Sequence, residues 1–430
     1  MQVLEELLLT KEEILSDYRI ACESRQASIL GRKEVFMGKA KFGIFGSGKE
    51  VAQIAMAKYF EPGDTRSGYY RDQTFMMAIG ELTLQQYFAQ LYAHTDVKAD
   101  PHSGGRLMIG HYATRSLNDD GTWKELVKIK GSSPDISPTG AQMPRLVGLA
   151  YASKLYRENP ELHTYTNFSN NGNEVAFGTI GNAATAEGIF FEAINAAGVL
   201  QIPMLVSIWD DGYGISVPQE YQTTKVDISV LFEGFRRTEN ERGIEIFKAR
   251  GWNYYELCQT YKQAVKICRD EHVPALLHIT EMAQPLGHST SGSHERYKSK
   301  ERLDWEEEYD SNVKFKEWIL ESGIAGEEEL NIIEAEATEK VKLARIEAWN
   351  AYVESMKADY EEALQYIGEA TEQATEKEEL FQIKDALVKT INPIRSDAVK
   401  AVKKALRIIR KEEIPAKYYL RDWIKRTNEQ

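Results

Sequence analysis

Residues 173–216 constrain the fold more than any other stretch. Glu174–Ile180 is a short apolar run suited to a buried strand, and Gly181 ends it where the chain can turn tightly. Thr185–Leu200 then carries apolar residues at helical spacing, with Ala and Gly allowing close approach. Pro203 closes that segment, and Met204–Trp209 is a second buried-strand pattern. A strand–loop–helix–strand unit of this kind predicts an α/β chain with a doubly wound, mostly parallel sheet flanked by helices. Asn182 and Asp211 fall just past the C-terminal ends of the two strands, where open α/β sheets place their ligands.

The chemistry available there is specific. The backbone of Gly181, Asn182, Ala183 and Ala184, with the start of the following helix, points N–H groups at one spot and makes an anion site. Asn182, Asp211 and the carbonyl of Tyr213 add oxygen donors, which suit Mg²⁺ holding a diphosphate. The same spacing also fits a βαβ unit with polar loop ends and no ligand, because Asn and Asp are common in turns.

The run GNAATAEGIFFEAINAAGVLQIP followed by DDGYGIS resembles the thiamine diphosphate motif. More narrowly, it is similar to the alpha subunit of the decarboxylating component of 2-oxo acid dehydrogenases, of the branched-chain and pyruvate type and close to the alpha part of bacterial fused alpha–beta versions. The resemblance runs from about Thr10 to Val353. It departs from the family at informative places. Asn182 stands where the family has Asp or Glu, and Asp211 where it has Asn, so carboxylate and amide have changed places. Ala183 replaces a glycine, and Trp209 stands where some relatives have a phosphate-binding Arg.

The resemblance implies thiamine diphosphate and Mg²⁺ as cofactors. It assigns Asn182, Asp211 and Tyr213 to the metal, and Tyr70, Arg71, Gly181, Ala183, Ala184, Ile215 and His288 to the cofactor. His288 is the implied catalytic residue, on a loop (Gly287–Ser291) that orders around the diphosphate. The planar donor fork of Arg71 suits phosphate, although an Arg here also reads as a surface side chain paired with Asp72 or Glu81. An imidazole at 288 can hydrogen-bond phosphate or shuttle a proton. His111, in Gly104–His111, is a weaker candidate and reads equally as a structural histidine. Ser132–Leu149 resembles the loop that cradles the aminopyrimidine end. Ser289 and Ser291 match regulatory phosphorylation sites of some relatives, but read here as loop serines.

The implied activity is oxidative decarboxylation of a small 2-oxo acid, branched-chain preferred, with acyl transfer to a lipoyl acyltransferase. Pyruvate or acetoin enzymes and a catalytically degenerate structural subunit are the alternatives. In the family a glutamate of the beta subunit activates the thiamine ring, so this chain is expected to supply the diphosphate half of the site and to work in a heterotetramer with beta.

The rest of the chain narrows the class. Net charge is −13, which argues against nonspecific nucleic-acid binding. No apolar run reaches the length of a membrane span. The acidic N-terminal stretch is unlike a signal peptide, and Cys22, Cys258 and Cys268 lack disulfide-framework or zinc spacing. These features predict a cytoplasmic protein. Thr10 and Glu13 form a capping-box pattern that opens a helix to about Leu30. Gly43–Lys49 matches part of a nucleotide phosphate loop, but Glu50 follows where a Ser or Thr hydroxyl is needed, and Lys39–Phe42 is a poor strand, so that reading is rejected. Ile244–Tyr255 and Pro274–Glu281 read as further strands around a helix. Beyond Trp305 Glu and Lys dominate. The expected division is a cofactor-binding domain over 1–353 and a charged helical extension over 354–430. Residues 386–430 hold twelve Lys or Arg against five Asp or Glu, a solvated helical face or a surface for an acidic partner.

Overall fold

The computed structural model describes residues 7–429. The chain forms two compact units, Met1–Arg345 and Ile346–Gln430.

The first unit is built on strands β1 (Thr65–Ser67), β2 (Gly131–Ser132), β3 (Ala176–Gly181), β4 (Met204–Trp209), the hairpin pair β5 (Tyr213–Gly214) and β6 (Val217–Pro218), β7 (Glu245–Arg250) and β8 (Ala275–Thr280). Six of them form one sheet in the order β2-β1-β3-β4-β8-β7, and every pairing in it is parallel. The doubly wound parallel sheet expected from the sequence is therefore present.

Strand alternation sorts the core into two layers. Ala176, Ile180, Met204, Val206 and Ile208 join Met143, Leu146, Phe190 and Ile194 in one buried cluster, under helices Gln142–Glu158 and Gly188–Leu200. The intervening residues face the other way. Phe177 meets Phe60 at a ring separation of 4.9 Å. Ser207 Oγ lies 2.8 Å from the Tyr261 hydroxyl on helix Tyr254–Glu271 and 3.4 Å from Met56 Sδ on helix Glu50–Ala57. Burial on both faces explains why β3 and β4 read as continuous apolar runs rather than alternating ones. Gly178 is required by the first layer, since a Cβ there would come within 2.2 Å of Leu146 Cδ2.

From β1 the chain runs outward to β2 and then returns across β1 to β3. The order thus reverses between β1 and β3, and their C-terminal ends flank the crevice where such sheets bind ligands.

Local structure departs from the sequence reading in four places. The first helix, capped by Thr10 and Glu13 as expected, extends to Phe36. The segment after Gly181 is a 3-10 turn, Asn182–Ala186, and the α-helix starts only at Gly188. Thr185 Oγ1 donates to the Asn182 carbonyl at 2.6 Å, a side-chain bond that favours the tight turn over the helix. β7 stops at Arg250, because Gly251–Asn253 turn into the helix that Asn253 caps. The charged helical extension expected from residue 354 starts inside one helix, Glu327–Gln373, which is followed by a break and then Lys377–Val388.

The second unit is helical. Ala363, Ile367, Leu380, Val402, Leu420 and Trp423 are among the residues of its own buried cluster. Among the described residues no helix is long and apolar enough to cross a membrane.

Candidate active site

A cavity of about 380 Å³ opens at the switch point. It is lined from the loop after β1 by Tyr69, Tyr70 and Arg71, from the turn after β3 by Gly181, Asn182, Ala183 and Ala184, and from beyond β4 by Asp211, Tyr213, Gly214 and Ile215. Gln284, His288, Tyr297 and Lys298 enter after β8, and Ser137–Gly140 with Gln142 close another wall. Every residue that the sequence reading assigned to metal or cofactor thus lines one cavity. His111 does not. It is buried behind the wall, with Nε2 3.0 Å from Ser137 Oγ. A larger cleft of about 930 Å³ lies elsewhere, beside Arg25, Glu306 and Lys316. Those charges are already matched, Arg25 by Glu50 and Asp310, Glu306 by Lys298 and Arg302, and Lys316 by Glu334. The smaller cavity is the one that gathers the residues of the sequence reading.

Arg71 is 4% exposed, so it is not a surface arginine. Its Nη1 donates to the Phe45 carbonyl at 2.6 Å and its Nη2 to the His288 carbonyl at 3.0 Å. No carboxylate pairs with it among the described residues; Asp72 is taken by Arg66. The guanidinium keeps a full charge beside the cavity, braced over the Tyr70 ring at 5.4 Å.

Asn182 is 2% exposed, and its amide Nδ2 has no hydrogen-bond partner. A buried amide donor without an acceptor costs on the order of 1–3 kcal/mol, and this one is enclosed beside the cavity.

Asp211 is held on both oxygens. Oδ1 accepts the Tyr213 N–H at 3.2 Å, and Oδ2 accepts Lys49 Nζ at 2.9 Å. Lys49 is almost fully buried, at the start of helix Glu50–Ala57. It also donates to Gln284 Oε1 at 2.5 Å and to the Ala283 carbonyl at 3.4 Å. Three acceptors match the three N–H donors of an ammonium. Burial, the largest influence on Asp211, would raise its pKa, but Lys49 and then Arg71 outweigh it and hold the carboxyl below its ordinary value. Gly48 makes the close approach possible. Its φ is +86°, and a Cβ there would lie 2.0 Å from the Ala283 carbonyl oxygen.

His288 is pushed down to about 4 by burial first and by Arg71 second. At neutral pH its imidazole is uncharged, with one N–H to donate. Its loop is clasped from outside: Thr290 N–H donates to the Gly43 carbonyl at 2.9 Å, and Arg32 Nη1 donates to the Leu286 carbonyl at 2.7 Å. Ile215 sits at the rim, 64% exposed, with φ +59°. A β-branched residue in the left-handed region is strained. Trp209 is fully buried and spends its indole N–H on Asp72 Oδ1 at 3.2 Å.

Sequence reasoning missed Lys49, Gln284 and Lys298. Lys49 lay inside the rejected phosphate-loop pattern, and only its burial against Asp211 makes it part of this site.

A diphosphate fits these residues: Arg71 lines the cavity and makes no ion pair among the described residues. A resident divalent ion does not fit as well. The single carboxylate of the expected metal set is already neutralised, and like unit charges about 4 Å apart repel by about 4 kcal/mol at an effective dielectric constant of about 20.

The family described as "Dehydrogenase E1 component" matches residues 23–357. The 2-oxoisovalerate dehydrogenase subunit alpha of Bacillus subtilis is 26% identical over 349 residues, covering 78% of this chain and 92% of that protein. The pyruvate dehydrogenase E1 component subunit alpha of Rickettsia prowazekii is 28% identical over 297 residues, 69% of this chain and 78% of that one. Its counterpart from Acholeplasma laidlawii is 25% identical over 378 residues, 84% and 95% of the two chains.

Proposed function

The chain belongs to the dehydrogenase E1 component family, as an E1 alpha subunit of the 2-oxo acid dehydrogenases, and from that premise we propose that it binds thiamine diphosphate and serves oxidative decarboxylation of a branched-chain 2-oxo acid. The observation that carries the reading is the single cavity at the sheet's switch point, which gathers residues from five separate segments, Arg71 and the Gly181–Ala184 turn among them.

Arg71 and the Asn182 amide hold the diphosphate, with the backbone of Gly181–Ala184 beside them. Neutral His288 donates a hydrogen bond to it rather than acting as an acid at neutral pH, because its proton is lost well below 7. Tyr213 and Ile215 form the rim. When bound, the cofactor supplies the electron sink for loss of carbon dioxide. A beta subunit completes the site in a heterotetramer, and a lipoyl acyltransferase takes the acyl group. The branched-chain preference is supported by the Bacillus relative, named as a 2-oxoisovalerate dehydrogenase subunit alpha. A pyruvate substrate is the second reading, favoured by the Rickettsia relative at 28% identity.

The test is a decarboxylation assay with 2-oxoisovalerate and pyruvate in parallel. The expected result is no turnover by the chain alone, turnover with a beta-type partner, and a higher kcat/KM for 2-oxoisovalerate. Turnover by the chain alone would refute the shared site, and a higher value for pyruvate would move the substrate to the second reading.

A further inference from the structure

The cation at this site is already part of the chain. Lys49 Nζ sits 2.9 Å from Asp211 Oδ2, is 1% exposed as a side chain, and has its other donors directed at Gln284 and Ala283. It lies behind the cavity wall that Asp211 and Gln284 form. Asn182, the other side chain expected on a metal, is neutral and brings no second negative charge to the site. A divalent ion takes hard oxygen donors, carboxylates foremost, and Asp211, the one carboxylate of the expected metal set, is spent on an ammonium.

We infer that the Lys49–Asp211 pair replaces the divalent ion, so that this chain takes a diphosphate without Mg²⁺. The inference rests on the thiamine diphosphate reading above. Lys49 is a positioning residue: it neutralises Asp211, which would otherwise repel the incoming anion. Arg71 then meets the phosphate oxygens directly. Removing the Lys49 charge would free the Asp211 carboxylate and open a place for a metal.

The experiment is a titration of thiamine diphosphate, and separately of inorganic pyrophosphate, into the full chain in metal-free buffer with EDTA and again with excess Mg²⁺, followed by calorimetry and by the shift in Tm. For the native chain the two affinities should agree within about threefold. Lys49→Gln should lose at least about tenfold in EDTA and regain it with Mg²⁺, whereas Lys49→Arg should stay indifferent to the metal. A purely structural lysine would not create a metal requirement when removed. The native arm stands whether or not the variants fold. Native binding that drops tenfold or more in EDTA and returns with Mg²⁺ would overturn the inference and leave the cofactor reading intact. Lys49→Gln folded and indifferent to metal would also overturn it. No binding of either probe under any of these conditions, with or without a beta-type partner present, would overturn both.

Discussion

Two buried charge clusters of the first unit share Asp72's neighbourhood at the C-terminal ends of β1, β3 and β4, yet they are built to opposite ends. In one, Arg66 reaches Asp72 through Nε at 2.8 Å, Ser132 through Nη1 at 2.8 Å, and Asp135 and the Tyr69 carbonyl through Nη2 at 3.1 Å. Asp72 also accepts from Thr179, from Trp209 Nε1 at 3.2 Å and from the Tyr69 N–H at 3.3 Å. Only Asp135 Oδ1 is left over. In the other cluster Lys49 and Asp211 are paired, but the Asn182 Nδ2 has no hydrogen-bond partner and Arg71 makes no ion pair among the described residues. Groups that close on protein partners hold a fold together. A cation left unpaired on a cavity wall awaits a ligand.

The largest test of that contrast is Arg66→Met. It strands Asp72 and Asp135 in the interior, and losing one partner of a buried ionic cluster costs about 3–5 kcal/mol. Urea unfolding should register that loss, and an unchanged midpoint would show that the cluster is not structural. Next, Arg71→Met should weaken thiamine diphosphate binding by about 10- to 100-fold, the worth of a hydrogen bond to a charged group. Equal binding by calorimetry would remove Arg71 from the site. Asn182→Ala should lower affinity about tenfold while the ligand-free Tm holds or rises, since the amide removed has no partner to lose. A marked fall in the free chain's Tm would instead make Asn182 a structural residue.

The smallest effect is on pH. Burial, then Arg71, keep His288 near 4 when folded, against an ordinary 6.5. The unfolded chain therefore takes up that proton first, so the stability is present above about 6.5 and is lost as pH falls through 4. His272, lowered to about 4 chiefly by burial, adds to the same decline. His288→Asn should flatten part of the stability–pH curve between those values. A curve identical to the native one would contradict the shift.

How much of this was readable beforehand depends on where each signal lives. β4 has the bounds that its apolar run and Pro203 imply, Met204–Trp209. The capping box at Thr10 and Glu13 is equally local, with both of its hydrogen bonds formed. Asn182 and Asp211 were legible because strand ends locate them. The 3-10 turn after Gly181 was not, because Ala-rich sequence favours a helix and only the Thr185 side-chain bond decides otherwise. Lys49 and Gln284 were hidden for a different reason. They meet across 235 positions of sequence, and burial of a lysine is a tertiary property that no local pattern encodes. Arg71 shows the converse: its surface reading fails because Arg66, five residues earlier, already holds Asp72.

The most direct measurement is calorimetric titration of thiamine diphosphate into the full chain, with and without a beta-type partner. The account predicts saturable binding at one site per chain, stronger with the partner and weakened by Arg71→Met. Absence of binding under both conditions would contradict it and leave the switch-point cavity as the remnant of a degenerate, structural subunit.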